Sequence, residues 1–250
     1  MDKQVVINVK NVYKTFEIKE KKYDSIRSVA LNMFRGESSA KKIEALQNVS
    51  FEIKQGEFFG IIGHNGSGKS TLLKLLIKAF PPDPGGEITI NGKMIRLALG
   101  VGFDPLLSAR ENIYINGSIL GLTFREIGQK FSEIIAFAEL QNFVDTQVKF
   151  FSTGMRTRLA FAIAVHADAD IYLMDEFFGG VGDERFKEKS REVFTDFISK
   201  EKTFIHVSHN MHTIREYCDR VMILNAGRLI GIYSPEEAVE VYQDIMKNRV

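Results

Sequence analysis

Apolar residues fall into two periods along this chain. Near the start, Val5-Val6-Ile7-Asn8-Val9 reads as a strand of mixed character. A charged stretch from Glu17 to Lys22 then interrupts it. Ile26, Val29, Ala30, Met33 and Phe34 follow at helical spacing, with Asp24 or Ser25 as a cap and Gly36 as a stop. Ala45 to Ile53 alternates as a strand, and Phe58-Phe59-Gly60-Ile61-Ile62 is a continuous apolar run. The cluster Pro81-Pro82-Asp83-Pro84-Gly85-Gly86 marks a turn. Glu87–Ile90 and Met94–Leu99, separated by Asn91-Gly92, then predict a hairpin.

Helical patterns dominate from Ala109 to about Phe143 and again from Thr153 to about Ala167, with Leu159, Ala160, Ile163 and Ala164 on one face. Ile171–Met174 is a buried strand, Phe186–Lys200 a helix, Thr203–Val207 a strand and Met211–Cys218 a helix. Val221–Leu224, the turn Asn225-Ala226-Gly227 and Arg228–Tyr233 predict a closing hairpin. Ser234-Pro235-Glu236-Glu237 opens a last helix, with a Ser cap, Pro at the first position and Glu at the third. The fold class is α/β: a parallel sheet with a β-rich edge and a helical insertion.

Chemistry enters at Gly63-His64-Asn65-Gly66-Ser67-Gly68-Lys69-Ser70, followed by Thr71. This is G-x-x-x-x-G-K-[ST] between a strand and a helix, the context in which the motif binds phosphate. Glycines let successive amides turn inward, and the following helix adds unpaired N–H groups and a positive dipole end. Lys69 is placed to reach the β- and γ-phosphates, and the Ser70 hydroxyl to bind Mg²⁺. Met174-Asp175-Glu176 ends a buried strand. There Asp175 is suited to hold the metal and Glu176 to orient or deprotonate the attacking water. Ser152 and Gly154 stand at a helix start, a second anion site. His209 follows a strand and can touch a γ-phosphate. His64, His166, His206 and His212 have side chains of structural or surface character.

Composition narrows the setting. The net charge of +1 gives no electrostatic footprint for nucleic acid or an anionic membrane. One cysteine, Cys218, excludes an intrachain disulfide and a thiolate zinc cluster and fits a reducing cytosol. No run approaches the roughly 20 apolar residues of a membrane helix. The first residues lack a signal-peptide core.

Together these motifs resemble the ATP-binding subunit of ABC transporters over about Val5 to Ile232. Gly63 to Ser70 match the Walker A loop, Ile171 to Glu176 match Walker B, and Phe151 to Met155 stand at the L-S-G-G-Q signature. His209 matches the switch histidine, and Asp183 the aspartate of the dimer-contact loop. Phe16 sits where an aromatic stacks on adenine, with Tyr23 as a second candidate. The resemblance implies a P-loop NTPase core with an antiparallel β subdomain and a helical subdomain. One domain would fill residues 1–250: a RecA-like core with its β edge over about 1–100 and 150–233, a helical subdomain over about 104–150, and a C-terminal helix over 234–250. On this expectation no added carbohydrate-binding domain follows the cassette. It also implies ATP and Mg²⁺ as cofactors. The partners it implies are a second copy of the subunit, with ATP between the two, and a separate transmembrane permease in two copies. Membrane contact would come only through that permease, at the cytoplasmic face of the inner membrane.

Three stretches resemble the polysaccharide exporters of O-antigen, capsule and teichoic acid: Gly100–Pro105 with Arg110–Ile113, Gly154–Ala162, and Val181-Gly182-Asp183 with Phe186 and Lys189. The helix near Ser25 to Phe34 matches an added element of those exporters. Other ABC transporters, or a soluble ABC ATPase acting on nucleic acid or ribosomes, are the alternatives. The chain departs from the family at Phe103 or Asp104, where most members have Gln, and at Thr153, where the signature has Gly. The stretch from Asp175 to Asp183 is one residue longer than usual. These departures predict slow hydrolysis.

Overall fold

The computed structural model describes residues 3–19, 40–97, 102–175 and 200–247, with residues 186, 188, 192, 193 and 195–197. The strands are β1 (Val5–Lys19), β2 (Ala40–Lys54), β3 (Phe58–Ile62), β4 (Glu87–Ile90), β5 (Met94–Leu97), β6 (Ile171–Asp175), β7 (Thr203–Val207), β8 (Arg220–Asn225) and β9 (Arg228–Tyr233). The helices are α1 (Lys69–Leu76), α2 (Ala109–Ile119), α3 (Phe124–Ala138), α4 (Thr153–His166), α5 (Met211–Tyr217) and α6 (Pro235–Lys247). The described residues between Phe186 and Phe197 are helical as well.

The strands build two sheets. One has the order β2-β1-β4 and is antiparallel; the other has the order β5-β6-β7-β3-β8-β9. In the larger sheet every neighbouring pair is parallel except β8 with β9. Central parallel strands are covered on both faces, so their sequences read as unbroken apolar runs. β3 and β7 meet that demand with every residue buried.

One apolar core joins the large sheet to the helices and includes Phe58, Ile95, Ile134, Leu159, Tyr172 and Phe204. A second joins the two sheets around α1 and includes Ile7, Val49, Phe59, Leu72, Leu75 and Leu173. α4 buries six successive residues, Leu159 to Ala164, as an enclosed helix must. Local signals set the helix starts. Ser108 with Glu111, and Thr123 with Glu126, form reciprocal capping boxes on α2 and α3. Ser234 and Glu237 hydrogen-bond each other in the same way at α6.

Two expectations need correction. Glu87–Ile90 and Met94–Leu99 are not a hairpin: β4 pairs with β1, whereas β5 pairs in parallel with β6. Asn91-Gly92 is a crossing between sheets. The Asn91 N–H donates to Val6 O at 2.8 Å, and the Lys93 N–H donates to the Asp170 carboxylate at 2.8 Å. Gly92, at φ +118°, passes within 3.0 Å of Asp170 as measured from an added Cβ. β1 also runs on through Glu17 to Lys19, because β2 continues to pair with it as far as Lys19 opposite Ala40. The helix expected over Ile26 to Phe34 lies outside the described residues.

Candidate functional site

The phosphate-loop candidate leaves the carboxyl end of β3 and enters α1. Its glycines are dictated by space. A Cβ on Gly63 would lie 2.3 Å from Leu224 O and 2.5 Å from Ser67 Oγ. One on Gly68 would lie 2.6 Å from Ala45 O, and Gly68 has φ +107°. Gly66 has φ +81° with nothing near it. Ser67 is fully buried, and its N–H donates to His64 O at 3.1 Å, closing the loop.

α1 begins at Gly68 with no side chain capping it and no acidic residue in its first turn. Its first N–H groups and dipole end therefore face whatever the loop encloses. Lys69 is 8% exposed, and its ammonium donates to Gly63 O and to His64 O, the latter at 2.9 Å. The positive charge is thus held at the mouth of the loop. Uncapped amides, a cradle that only glycine fits and an inward ammonium match a chain of phosphates in charge and shape. Ser70 is exposed and Thr71 half-buried at the start of α1. Gly63→Ala is expected to cost about 2 kcal/mol through overpacking, roughly 4–8 °C in Tm for a chain of this length. Calorimetry measures it, and an unchanged Tm would refute the clash.

Three parallel strands end side by side at this edge. Ile61 of β3 is in register with Val207 of β7, and Val207 with Asp175 of β6. Neighbouring strands lie about 4.8 Å apart, so the backbone of Asp175 ends about 10 Å from that of β3. His209 is exposed two residues beyond β7. The structure thereby brings residues 63–71, the Asp175 backbone and His209 to one edge. Glu176, Asp183 and Tyr23 lie outside the described residues.

The turn bearing His209 is held from inside. Asn210 N–H donates to Ser208 Oγ at 3.0 Å, and Thr213 Oγ1 donates to Asn210 O at 2.9 Å. Thr213 Oγ1 also lies 3.2 Å from His206 Nε2. Burial pushes the His206 pKa down to about 4, so this ring is neutral at physiological pH. Ser208 and Thr213 escaped sequence reasoning because only the folded turn brings them to His206, which the sequence had given a structural or surface character.

Phe16 is half-exposed on β1, opposite Ile43 of β2. Two residues further along β2, Ala45 O abuts Gly68. Phe80 packs edge-on to it at 5.5 Å, and Lys14 Nζ lies 5.8 Å from its centroid.

Ser152 caps α4, its hydroxyl accepting from the Met155 N–H at 3.2 Å. Gly154 follows in the first turn with only Ser152 Oγ near an added Cβ, at 3.8 Å. Among the described residues, no hydrogen bond joins this helix start to the phosphate loop. Asp104 is exposed, and its Oδ1 accepts from the Leu106 N–H at 2.9 Å. Asn112, fully buried, latches the same loop: its Oδ1 accepts from Asp104 N, and its Nδ2 donates to Asp104 O, Leu107 O and Ser108 O. A legible signal existed here, because Asn112 and Asn116 occupy the buried stripe of α2 with Ala109 and Ile113.

Residues 46–179 match the family described as ABC transporter. The O-antigen export system ATP-binding protein RfbB of Myxococcus xanthus is 41% identical over 95% of this chain and 55% of its own length. The teichoic acids export ATP-binding protein TagH of Lactococcus lactis is 38% identical over 98% of this chain and 52% of its own. The chain therefore spans about half the length of these two relatives. RfbB of Klebsiella pneumoniae is 36% identical over 96% of this chain and 98% of its own length. Among solved structures, a dimeric ATP-binding cassette in a post-hydrolysis state with ADP and Pi superposes with a TM-score of 0.69 at 25% identity, over 92% of this chain and 98% of that one. The match across most of the chain, and a loop built for phosphate at the edge where three parallel strands end, lead to one conclusion: the chain belongs to the ABC transporter family, whose cassettes bind ATP, and has the ABC ATPase fold.

Proposed function

We propose that this chain is the ATP-hydrolysing subunit of an exporter that drives lipid-linked polysaccharide across the cytoplasmic membrane. The observation that carries this reading is similarity over nearly the whole chain to O-antigen and teichoic acid export ATP-binding proteins, joined to a formed phosphate loop.

Residues 63–71 hold the phosphates, with Lys69 countering charge on the β- and γ-groups. Ser70 and Asp175 would hold Mg²⁺, which would supply positive charge against the phosphates. Glu176 takes the proton of the attacking water, and His209 contacts the γ-phosphate. Phe16 or Tyr23 stacks on adenine. A loop of this kind leaves the γ-phosphate facing outward. Ser152 and Gly154 of a second copy cover it, with Asp183 at the contact between copies. The working unit is then a homodimer, and loss of the γ-phosphate releases it.

A separate permease, in two copies, supplies the membrane span. Among the described residues no helix is long and apolar enough to cross a membrane. The chain then sits at the cytoplasmic face through the permease alone. The carbohydrate is selected outside residues 1–250, which form one cassette: a core with its β edge, the helical insertion and α6.

A groove of about 570 Å³ supports permease docking. It runs between the end of α1, the β4–β5 crossing, the end of α2 and α4, with Lys78, Lys93 and Arg96 among its lining. Ile119 in its lining is 69% exposed, and Ile115 on the same helix 42%. An apolar floor with cationic walls favours an amphipathic permease segment bearing acidic residues. Ile119→Glu is expected to weaken permease copurification by roughly tenfold, the loss of about 1.4 kcal/mol, with the ATPase rate of the isolated chain unchanged. Full copurification would reject this surface. For the function as a whole, the decisive experiment restores surface polysaccharide in cells lacking their own export ATPase by supplying this chain with its permease. Restored import of a small solute without polysaccharide export would refute the reading.

A further inference from the structure

The phosphate loop has a support that lies far away in the sequence. The turn Asn225-Ala226-Gly227 joins β8 to β9, and it touches the loop at three points. The Gly227 N–H donates to Ser67 O at 2.9 Å. Asn225 Oδ1 lies 3.0 Å from His64 Nε2, across 161 residues of chain. Leu224 O, just before the turn, closes off the space beside Gly63. On its other side the turn grips β2. Gln47 N–H donates to Gly227 O at 2.8 Å, and Arg228 Nε donates to Gln47 Oε1 at 2.8 Å. Added Cβ atoms on Gly68 and Gly227 would both collide with Ala45 O, at 2.6 and 2.9 Å. The loop is wedged between β2 and this turn.

The chemistry of the His64 contact is selective. His64 Nδ1 lies 2.5 Å from Asn65 O. An oxygen faces each ring nitrogen, Asn65 O at Nδ1 and Asn225 Oδ1 at Nε2, and a carbonyl oxygen only accepts. A proton on Nε2 is donated to Asn225 Oδ1 as it stands; a ring with its proton on Nδ1 alone is met by the Asn225 NH₂ once the amide turns over. Asparagine carries both groups, whereas leucine carries neither. His64 O also accepts from the Lys69 ammonium. A grip on the His64 ring therefore reaches both the rim of the loop and its cation.

The geometry points to Asn225 as a positioning residue for triphosphate binding. It holds the His64 ring, and through it the His64 and Asn65 peptides, in the curve that presents their amides to an anion. The inference rests on reading residues 63–70 as the triphosphate site, and binding of mant-ATP by the unaltered chain tests that reading by itself.

The test is a cycle of Asn225→Ala, His64→Ala and the double variant, each titrated with mant-ATP and assayed for phosphate release at saturating ATP. Each single change raises Kd about fivefold, equivalent to about 1 kcal/mol. The double variant is no weaker than either single one, and kcat of Asn225→Ala stays within about twofold, since the step it affects is ground-state binding. An unchanged Kd in Asn225→Ala, or a double variant whose loss is the product of the two, overturns the proposal.

Discussion

Lys69→Ala is expected to lower kcat/KM for ATP by about a hundredfold or more, the size seen when one preorganised charge-stabilising donor is removed. The reason lies in where the ammonium sits. It is almost fully buried and donates to two carbonyls of its own loop. Carbonyls carry partial charge, whereas β- and γ-phosphates carry full charge, so a triphosphate draws the ammonium without any need to desolvate it first. In the alanine variant the carbonyls of Gly63 and His64 lose this donor, and the phosphates lose the loop's ammonium. Both binding and turnover fall, and ATP no longer brings two copies together. Mant-ATP titration and phosphate release measure the two effects. Turnover within threefold of the unaltered chain would remove Lys69 from the site.

Glu176→Gln has the opposite signature. The substitution keeps the size of the side chain and removes its capacity to accept a proton. Hydrolysis is expected to fall by about 10²–10⁴-fold, the contribution of a positioned general base. ATP binding is retained, because Lys69 and the loop amides are untouched. ATP then accumulates in the closed pair, and light scattering after size exclusion reads twice the monomer mass with ATP and Mg²⁺ present. Lys69→Ala and Glu176→Gln therefore separate the two halves of the reaction: one fails to close, the other fails to reopen. Undiminished turnover in Glu176→Gln would place the base elsewhere.

The phosphate loop was legible because its chemistry is local: eight consecutive residues carry the glycines, the cation and the hydroxyl, and their flanks name a strand and a helix. The buried strands β3, β6 and β7 were equally plain, since being covered on both faces leaves an unbroken apolar run. Helix starts at Ser152 and Ser234 were readable for the same local reason.

What escaped depends on partners distant in the chain. Asn91-Gly92 has the composition of a hairpin turn, but composition does not say which strand will pair with β4. β1 was available to β4 and β6 to β5, and Asp170 held the crossing between them. The charged residues at the end of β1 hid its continuation, because pairing with β2 supplies backbone bonds whatever the side chains are. Asn225 looked like ordinary turn punctuation, and nothing near it in sequence names His64. The buried Asn112 left a trace, a polar residue in an apolar stripe, but not the identity of the loop it fastens.

The three-residue crossing from β4 to β5 leaves the chain no slack. The small sheet holds its third strand through β4, and the large sheet holds an edge through β5. Asn91 is tied to Val6 on one side and Lys93 to Asp170 on the other. If either layer came apart, it would drag the adjoining strand out of its neighbour. Heat should therefore melt the two sheets in a single transition, and a nick introduced between residues 90 and 94 should be the cut from which neither half recovers alone.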